Sequence, residues 1–274
     1  RTGKPLVGRG IGVPGLVEIS TGTLLVAPNL GWHEVELRKR VQDALQIPTF
    51  IANEANMAAL GESYFGAGQD IQFMLYVSSG VGIGGGIVAN GRLMEGATGF
   101  AGEVGHMVVE RDGRLCNCGG RGCWETVAGE AALLERVQAV VCENPQSLIA
   151  RMVNGQADRV TLPILVKAAD EGDPLVSDAL QETAHWLGIG IASLVNVLNP
   201  QRVVFGGPLS IAHAHLLPVV RETVSKQAWH WVQQEANIVT AAYGRDAAVI
   251  GGVAMVYREL LNEPRHWLQG TRRK

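Results

Sequence analysis

The order of apolar and polar positions divides the chain into short buried strands and amphipathic helices. Residues 6–17 are apolar and glycine-rich, and Val13-Pro14-Gly15 supplies a turn, so this run reads as a buried strand ending in a loop. Across residues 33–45 the apolar positions recur at helical spacing, and residues 47–52 return as a short buried strand, the helix-then-strand order of a parallel sheet. Residues 55–65 read as a helix of small side chains. Residues 72–78 are rich in β-formers and lead through a glycine cluster into Ile87-Val88-Ala89 and the turn Asn90-Gly91, which predicts a hairpin. Residues 124–141 read as helix. Asp173 before Pro174 has the form of an N-cap followed by Pro at the first helical position, and it opens a long apolar helix that Asn199-Pro200 ends. A strand at 202–205 is closed by Gly206-Gly207-Pro208, and a helix, a strand at 238–240 and a final helix from Asp246 follow.

With 274 residues, 47% of them hydrophobic, the chain can bury a core of one large domain or two lobes. A net charge of -3 supplies no field for a polyanion, and the one basic run is Arg272-Arg273-Lys274, so this polypeptide alone is not expected to bind nucleic acid. No stretch approaches the roughly 20 apolar residues that span a bilayer, and Arg1-Thr2-Gly3-Lys4-Pro5 precedes no apolar signal core. A cytoplasmic location without membrane partners is the expectation.

Three of the four cysteines crowd into eight residues, while Cys142 stands alone in an apolar run. His106, Cys116, Cys118 and Cys123 place four soft or borderline ligands within eighteen residues, enough to close a tetrahedral Zn²⁺ shell. Gly113, Gly119, Gly120 and Gly122 supply the tight turns a short loop needs to wrap one ion. The alternatives are a disulfide with a spare thiol, or free buried cysteines beside an unrelated histidine. Four protein ligands leave no open position, so this zinc organises the loop and does not catalyse.

The run Glu103-x-x-His106, nine residues, Cys116-x-Cys118-Gly119-x-x-Gly122-Cys123-x-Glu125 resembles the zinc signature of the ROK family of bacterial sugar kinases and sugar-responsive repressors. The resemblance extends to Gly82-Ile83-Gly84-Gly85-Gly86, Asn90-Gly91, Ala27-Pro28-Asn29-Leu30-Gly31-Trp32, Asn53-Glu54-Ala55-Asn56 and Val204-Phe205-Gly206-Gly207, and so to nearly the whole chain. It implies an α/β, actin-like (ribonuclease H-like) fold of two lobes with sugar held between them. The small lobe is expected at residues 1–55 plus 247–274, incomplete at its N-terminus, and the large lobe at 56–246 with the zinc loop at 103–125. By motif position Asn29, Asn53, Glu54, Glu103, His106 and Glu125 would contact a monosaccharide, His106 through the ring nitrogen that does not ligate zinc. Their carboxylates and amides are the acceptors and donors that a ring of hydroxyls requires. The plain alternatives are solvated surface carboxylates for Glu103 and Glu125 and a turn-capping amide for Asn53.

Three departures from the family's kinases fall on the nucleotide side. The family pattern has Asp as the base that takes the sugar hydroxyl proton, where this chain has Glu54, and a shift on the order of 1 Å can cost about a hundredfold in rate. Kinases usually carry Thr between the glycines of Gly80-Val81-Gly82, where Val81 has no hydroxyl for a phosphate oxygen. The family's first phosphate loop, expected before Leu6, is not seen, which leaves Gly80, Gly82, Gly206 and Gly207 as a vestigial or weak nucleotide site. The resemblance therefore implies the effector-binding region of a ROK transcriptional regulator, which would reach DNA only through a helix-turn-helix domain not present here. The alternative is an ATP-dependent hexose kinase with Glu54 as base and ATP with Mg²⁺ as cofactors. Family members are commonly dimers or tetramers, so a homo-oligomer is expected. Gly188-x-Gly190 in the long helix serves either close helix approach between copies or packing within the chain.

Overall fold

A computed structural model describes residues 6–27, 30–230 and 237–262. Strands β1 (Arg9–Val13), β2 (Leu16–Glu18), β3 (Thr23–Ala27), β4 (Trp32–Val35) and β5 (Thr49–Asn53) open the chain, with helix α1 (Leu37–Leu45) before β5 and α2 (Glu54–Phe65) after it. The hairpin strands β6 (Phe73–Ser79) and β7 (Ile83–Ala89) and the short β8 (Arg92–Leu93) follow. Then come α3 (Glu125–Ala128), α4 (Glu130–Glu143), α5 (Leu148–Met152), α6 (Leu162–Asp170), α7 (Pro174–Leu198), β9 (Arg202–Gly206), α8 (His213–Gln227), β10 (Asn237–Thr240) and α9 (Ala247–Asn262). Strand β1 pairs parallel with β5, strands β2, β3 and β4 form an antiparallel sheet, and the remaining five make a sheet of order β10-β9-β6-β7-β8. Among the described residues no helix is long and apolar enough to cross a membrane.

By compactness the chain divides into one unit of residues 1–76, 85–102 and 241–274, as far as these are described, and a second of residues 77–84 and 103–240. This division departs from the expected boundaries at 55 and 247, and glycine contacts explain why. A Cβ on Gly61 of α2 would come within 2.7 Å of the Ala247 carbonyl and the Gly251 amide of α9, and one on Gly10 of β1 within 2.5 Å of the Gly252 backbone. Helix α9 thus lies directly on α2 and β1. The glycine cluster at 84–86 sits inside β7 and not in a loop, and at Gly86 the missing side chain lets α2 approach, since a Cβ there would meet the Ala59 side chain at 2.5 Å.

The expected helix over 33–45 starts only at Leu37. Residues Trp32 and His33 instead pair with Ala27 and Val26 of β3, and Glu34 has φ 49°, which no α-helix accommodates. The expected helix over 124–141 is cut into α3 and α4 at Gly129, where ψ is 164°.

One buried carboxylate fastens the first unit. Glu62 of α2 is fully buried and accepts from the amides of Ala67 at 2.8 Å, Ala242 at 3.0 Å and Tyr243 at 2.9 Å. The Tyr243 hydroxyl donates to the Phe65 carbonyl at 2.7 Å beside it. Truncation by Glu62→Ala leaves three amides without an acceptor, so urea unfolding is expected to show a loss of about 3 kcal/mol. An unchanged midpoint would mean that water replaces the carboxylate at no cost.

In the second unit α7 is set by its ends. Asp173 Oδ1 accepts from the amides of Leu175 at 3.0 Å and Val176 at 3.2 Å, its Oδ2 accepts from Ile149 N at 2.8 Å, and Asn199 closes the helix with φ 47°. Gly188 takes the Thr223 side chain of α8 and Gly190 takes the Trp124 ring, so both glycines have packing partners within the chain. Strands β9 and β10 run parallel, from Arg202 opposite Asn237 to Phe205 opposite Thr240.

Candidate metal centre

Residues 103–125 of the second unit form a loop closed on itself. Antiparallel bridges join Val108 to Cys123 and Leu115 to Arg121. The Cys116 amide donates to the Gly120 carbonyl at 2.8 Å, that of Gly119 to Cys116 O at 2.9 Å, and that of Gly122 to Arg114 O at 2.9 Å. Gly122 adopts φ 73° with its Cα against the Glu110 carbonyl, a place only glycine fits. Gly105 similarly lets the turn Val104–His106 lie against the Ile83 carbonyl.

This folding brings the four residues expected as ligands together: one donor atom from each of His106, Cys116, Cys118 and Cys123 lies within 4.8 Å of all the others. Bonds of about 2.3 Å to thiolates give a tetrahedron with edges of about 3.8 Å. The Cys118 and Cys123 sulfurs are 3.6 Å apart, and Cys116 Sγ is 3.7 Å from His106 Nδ1, so the cluster is already at the spacing of a tetrahedral site. Burial pushes the Cys116 and Cys123 thiols up, whereas the Gly120 N–H donated to Cys118 pulls that thiol down. Among the described residues these atoms could hold a metal ion, and their donor set suits a borderline-soft one.

Two carboxylates flank the cluster. His106 turns Nδ1 toward the sulfurs and leaves Nε2 3.8 Å from Glu103 Oε2. Glu125 Oε1 is 3.7 Å from His106 Nδ1 and accepts from Cys116 Sγ at 2.9 Å. Burial raises the Glu103 carboxyl pKa and Glu125 adds to this, while the His106 ring opposes it. Glu125 is held where it is by two residues that the sequence did not single out. Trp124, fully buried, donates its indole N–H to the Trp186 carbonyl of α7 at 2.8 Å. Arg136 of α4 forks to Val127 O at 2.7 Å, Thr183 Oγ1 at 3.0 Å and Glu182 Oε1 at 3.0 Å. A tryptophan inside a glycine-rich polar loop was a readable signal for Trp124, since so large an apolar ring requires a core; Arg136 had none.

In the first unit Asn53 acts as the helix cap of α2. Its Oδ1 accepts from Ala55 N at 2.8 Å and Asn56 N at 3.4 Å, and its Nδ2 donates to Gly15 O at 3.0 Å. Glu54 follows in the first turn of α2; its side chain reaches the surface, yet enough protein surrounds the carboxyl group for burial to raise its pKa. Asn29 lies outside the described residues.

The glycines expected on the nucleotide side meet at the ends of neighbouring strands. The Gly80 amide donates to Gly82 O at 2.9 Å, and Gly207, at φ 79°, lies so close to Ser78 and Ser79 that a Cβ would stand 2.6 Å from Ser79 O. Gly206 ends β9 fully buried beside it. A Cβ on Gly80 would be 3.2 Å from Pro208 Cδ. Val81, at the tip between Gly80 and Gly82, is 72% exposed.

Fold and cluster define a mixed α/β protein with a candidate His/Cys metal centre. The ROK family model matches residues 1–259. The chain is 37% identical over 266 residues to the xylose repressor of Caldicellulosiruptor bescii, covering 97% of this chain and 66% of the repressor. It is also 37% identical over 255 residues to a glucokinase of Halalkalibacterium halodurans, covering 93% of this chain and 77% of the enzyme. The crystal structure of a ROK family glucokinase from Streptomyces griseus in complex with glucose and AMPPNP superposes with a TM-score of 0.87 at 32% identity, covering 93% of this chain and 83% of that one. The chain belongs to the ROK family, has its actin-like α/β fold, and spans about two thirds of the length of the xylose repressor it matches.

Proposed function

We propose that this chain is the sugar-sensing, effector-binding region of a ROK transcriptional regulator. The observation that carries the reading is Val81. Its side chain stands 72% exposed at the tip between Gly80 and Gly82, where, by the family pattern, the kinases carry a hydroxyl. A branched hydrocarbon there can shape the turn but donates nothing to a phosphate. Glu54 in place of the kinases' Asp points the same way, since it lengthens the arm of the proton acceptor by a methylene.

By motif position Asn29, Asn53, Glu54, Glu103, His106 and Glu125 would meet a monosaccharide's hydroxyls. Zn²⁺ held by His106, Cys116, Cys118 and Cys123 would fix the His106 ring so that Nε2 faces away from the metal. DNA would be engaged by a separate helix-turn-helix domain. Sugar must favour one arrangement of the protein over another for a signal to pass. Assembly as a homodimer or homotetramer and a cytoplasmic location complete the reading.

The test is ADP release with ATP, Mg²⁺ and glucose, fructose, xylose or N-acetylmannosamine, beside calorimetric titration of the same sugars. Binding of at least one sugar with turnover far below about 1 s⁻¹ is expected. Turnover above that value would establish the hexose kinase instead, with Glu54 as its base.

A further inference from the structure

The three thiols of the 103–125 loop differ in a way that metal binding does not require. Cys116 and Cys123 are 4% and 2% exposed, whereas Cys118 is exposed. Its sulfur lies 3.6 Å from that of Cys123 and receives the Gly120 N–H at 3.4 Å. A disulfide needs about 2.05 Å between sulfurs, so closure calls for a shift of about 1.5 Å. The chain between the two cysteines is Gly119-Gly120-Arg121-Gly122, with φ 89° at Gly119 and 73° at Gly122. A Cβ on Gly119 would meet nothing within 4 Å, so the backbone beside Cys118 has room to move, while Gly122 stays packed against the Glu110 carbonyl and keeps Cys123 in place. Cys116 is placed differently, against Glu125 Oε1 and His106 Nδ1.

We propose that Cys118 is an oxidation site for hydroperoxides and that its oxidation closes a Cys118–Cys123 disulfide, which empties the metal site. The Cys118 sulfur attacks the peroxide oxygen; the O–O bond breaks, one oxygen stays on sulfur as the sulfenic acid, and the other leaves as water after taking up a proton. The Cys123 sulfur then attacks the sulfenic sulfur, the S–S bond forms and a second water leaves. Two thiols lose two electrons and two protons, and one hydrogen peroxide becomes two waters. With Cys118 and Cys123 joined, only His106 and Cys116 remain as ligands, too few to close a tetrahedral shell. His106 loses the ion that fixes its ring, so oxidant and sugar signals would meet at one residue. The metal release rests on the zinc reading given above, but the thiol chemistry does not.

The experiment treats the zinc-loaded chain with hydrogen peroxide, follows released metal with a chromogenic chelator, and digests the alkylated product with trypsin. Cleavage after Arg114, Arg121 and Arg136 separates peptides 115–121 and 122–136, so the disulfide joins two peptides, and fragmentation tells Cys118 from Cys116. The expected result is metal release in step with that link, reversal by dithiothreitol with renewed metal uptake, no link in Cys118→Ser and an unchanged link in Cys142→Ser. A link through Cys116 or Cys142, metal release without a link, or resistance to peroxide would overturn the proposal. Should the purified chain hold no zinc even when supplied with it, the link is still expected from the bare thiols. That outcome would remove the metal reading and keep the oxidation site, while no link in the bare thiols would remove both.

Discussion

Replacing Trp124 with Ala is expected to lower the melting temperature by on the order of 10 °C and to abolish sugar binding at temperatures where the variant is still folded. Trp124 is among the largest side chains buried without exposure in this chain, and its ring fills the space that Gly190 of α7 leaves open. Removing such a ring from a packed interior costs about 3–5 kcal/mol, because the surroundings collapse only in part. At about 2–4 °C per kcal/mol for a unit of this size, the melting shift follows. The indole N–H bond to Trp186 O at 2.8 Å goes with it. The functional loss has a separate cause. Trp124 immediately precedes α3, so the anchored indole fixes where that four-residue helix starts and where its first residue, Glu125, projects. Trp124→Phe serves as the control. It keeps most of the ring against Gly190 and gives up one hydrogen bond worth about 1 kcal/mol, so it should melt close to the parent. Calorimetric scans and sugar titrations on the three proteins read both effects. A Trp124→Ala protein that melts with the parent would show that the ring is not part of the core that carries Glu125.

What could be read from the sequence was whatever its neighbours along the chain decide. Helix α7 runs from Pro174 to Leu198 as the signals Asp173-Pro174 and Asn199-Pro200 predict, because a cap oxygen and a left-handed residue act within a few positions. The four cluster residues also come together as expected, since glycine turns within eighteen residues leave the loop few other paths. Features set by distant partners were lost. The helical spacing over 33–45 hid β4, which exists because β3 offers it a ladder. The glycines at 84–86 read as a loop by composition, yet they lie in a strand, and at Gly86 α2 crosses too close for a side chain. Asn53 illustrates a residue whose two readings the sequence could not separate: its amide oxygen caps α2, and its nitrogen reaches Gly15, thirty-eight positions back. Arg136 binds three groups from α3 and α7, and nothing in the pattern of α4 sets it apart from an ordinary surface arginine.

The largest effect of all is expected from removing the metal. If His106, Cys116, Cys118 and Cys123 hold zinc, Cys123→Ser should lower the affinity by on the order of a hundredfold or more, because it takes out a ligand and not merely a residue supporting one, and losing a supporting residue alone costs about 10–100-fold. The binding energy at stake is large: structural zinc contributes about 10–16 kcal/mol to small domains that fold around it, and here it would be spent on a loop with little core of its own. Leu115 and Val108 of that loop are exposed, and two bridge pairs and a handful of backbone bonds are what else closes it. Without the ion, burial pushes the Cys116 and Cys123 thiols up, and the His106 ring keeps loose contacts of 3.7 Å to Cys116 Sγ and Glu125 Oε1 and 3.8 Å to Glu103 Oε2. Hydrogen exchange should therefore accelerate at the amides of Cys116, Gly119 and Gly122 in Cys123→Ser, while amides of α7 and α8 keep their protection, since those helices pack on each other away from the loop's own hydrogen bonds. Cys142→Ser, at an exposed thiol of α4, should change neither metal content nor exchange. If Cys123→Ser retained a full equivalent of zinc with unchanged exchange at Gly119 and Gly122, the ion would have to be bound elsewhere, and His106 would owe its orientation to Glu103, Glu125 and Cys116 without a metal.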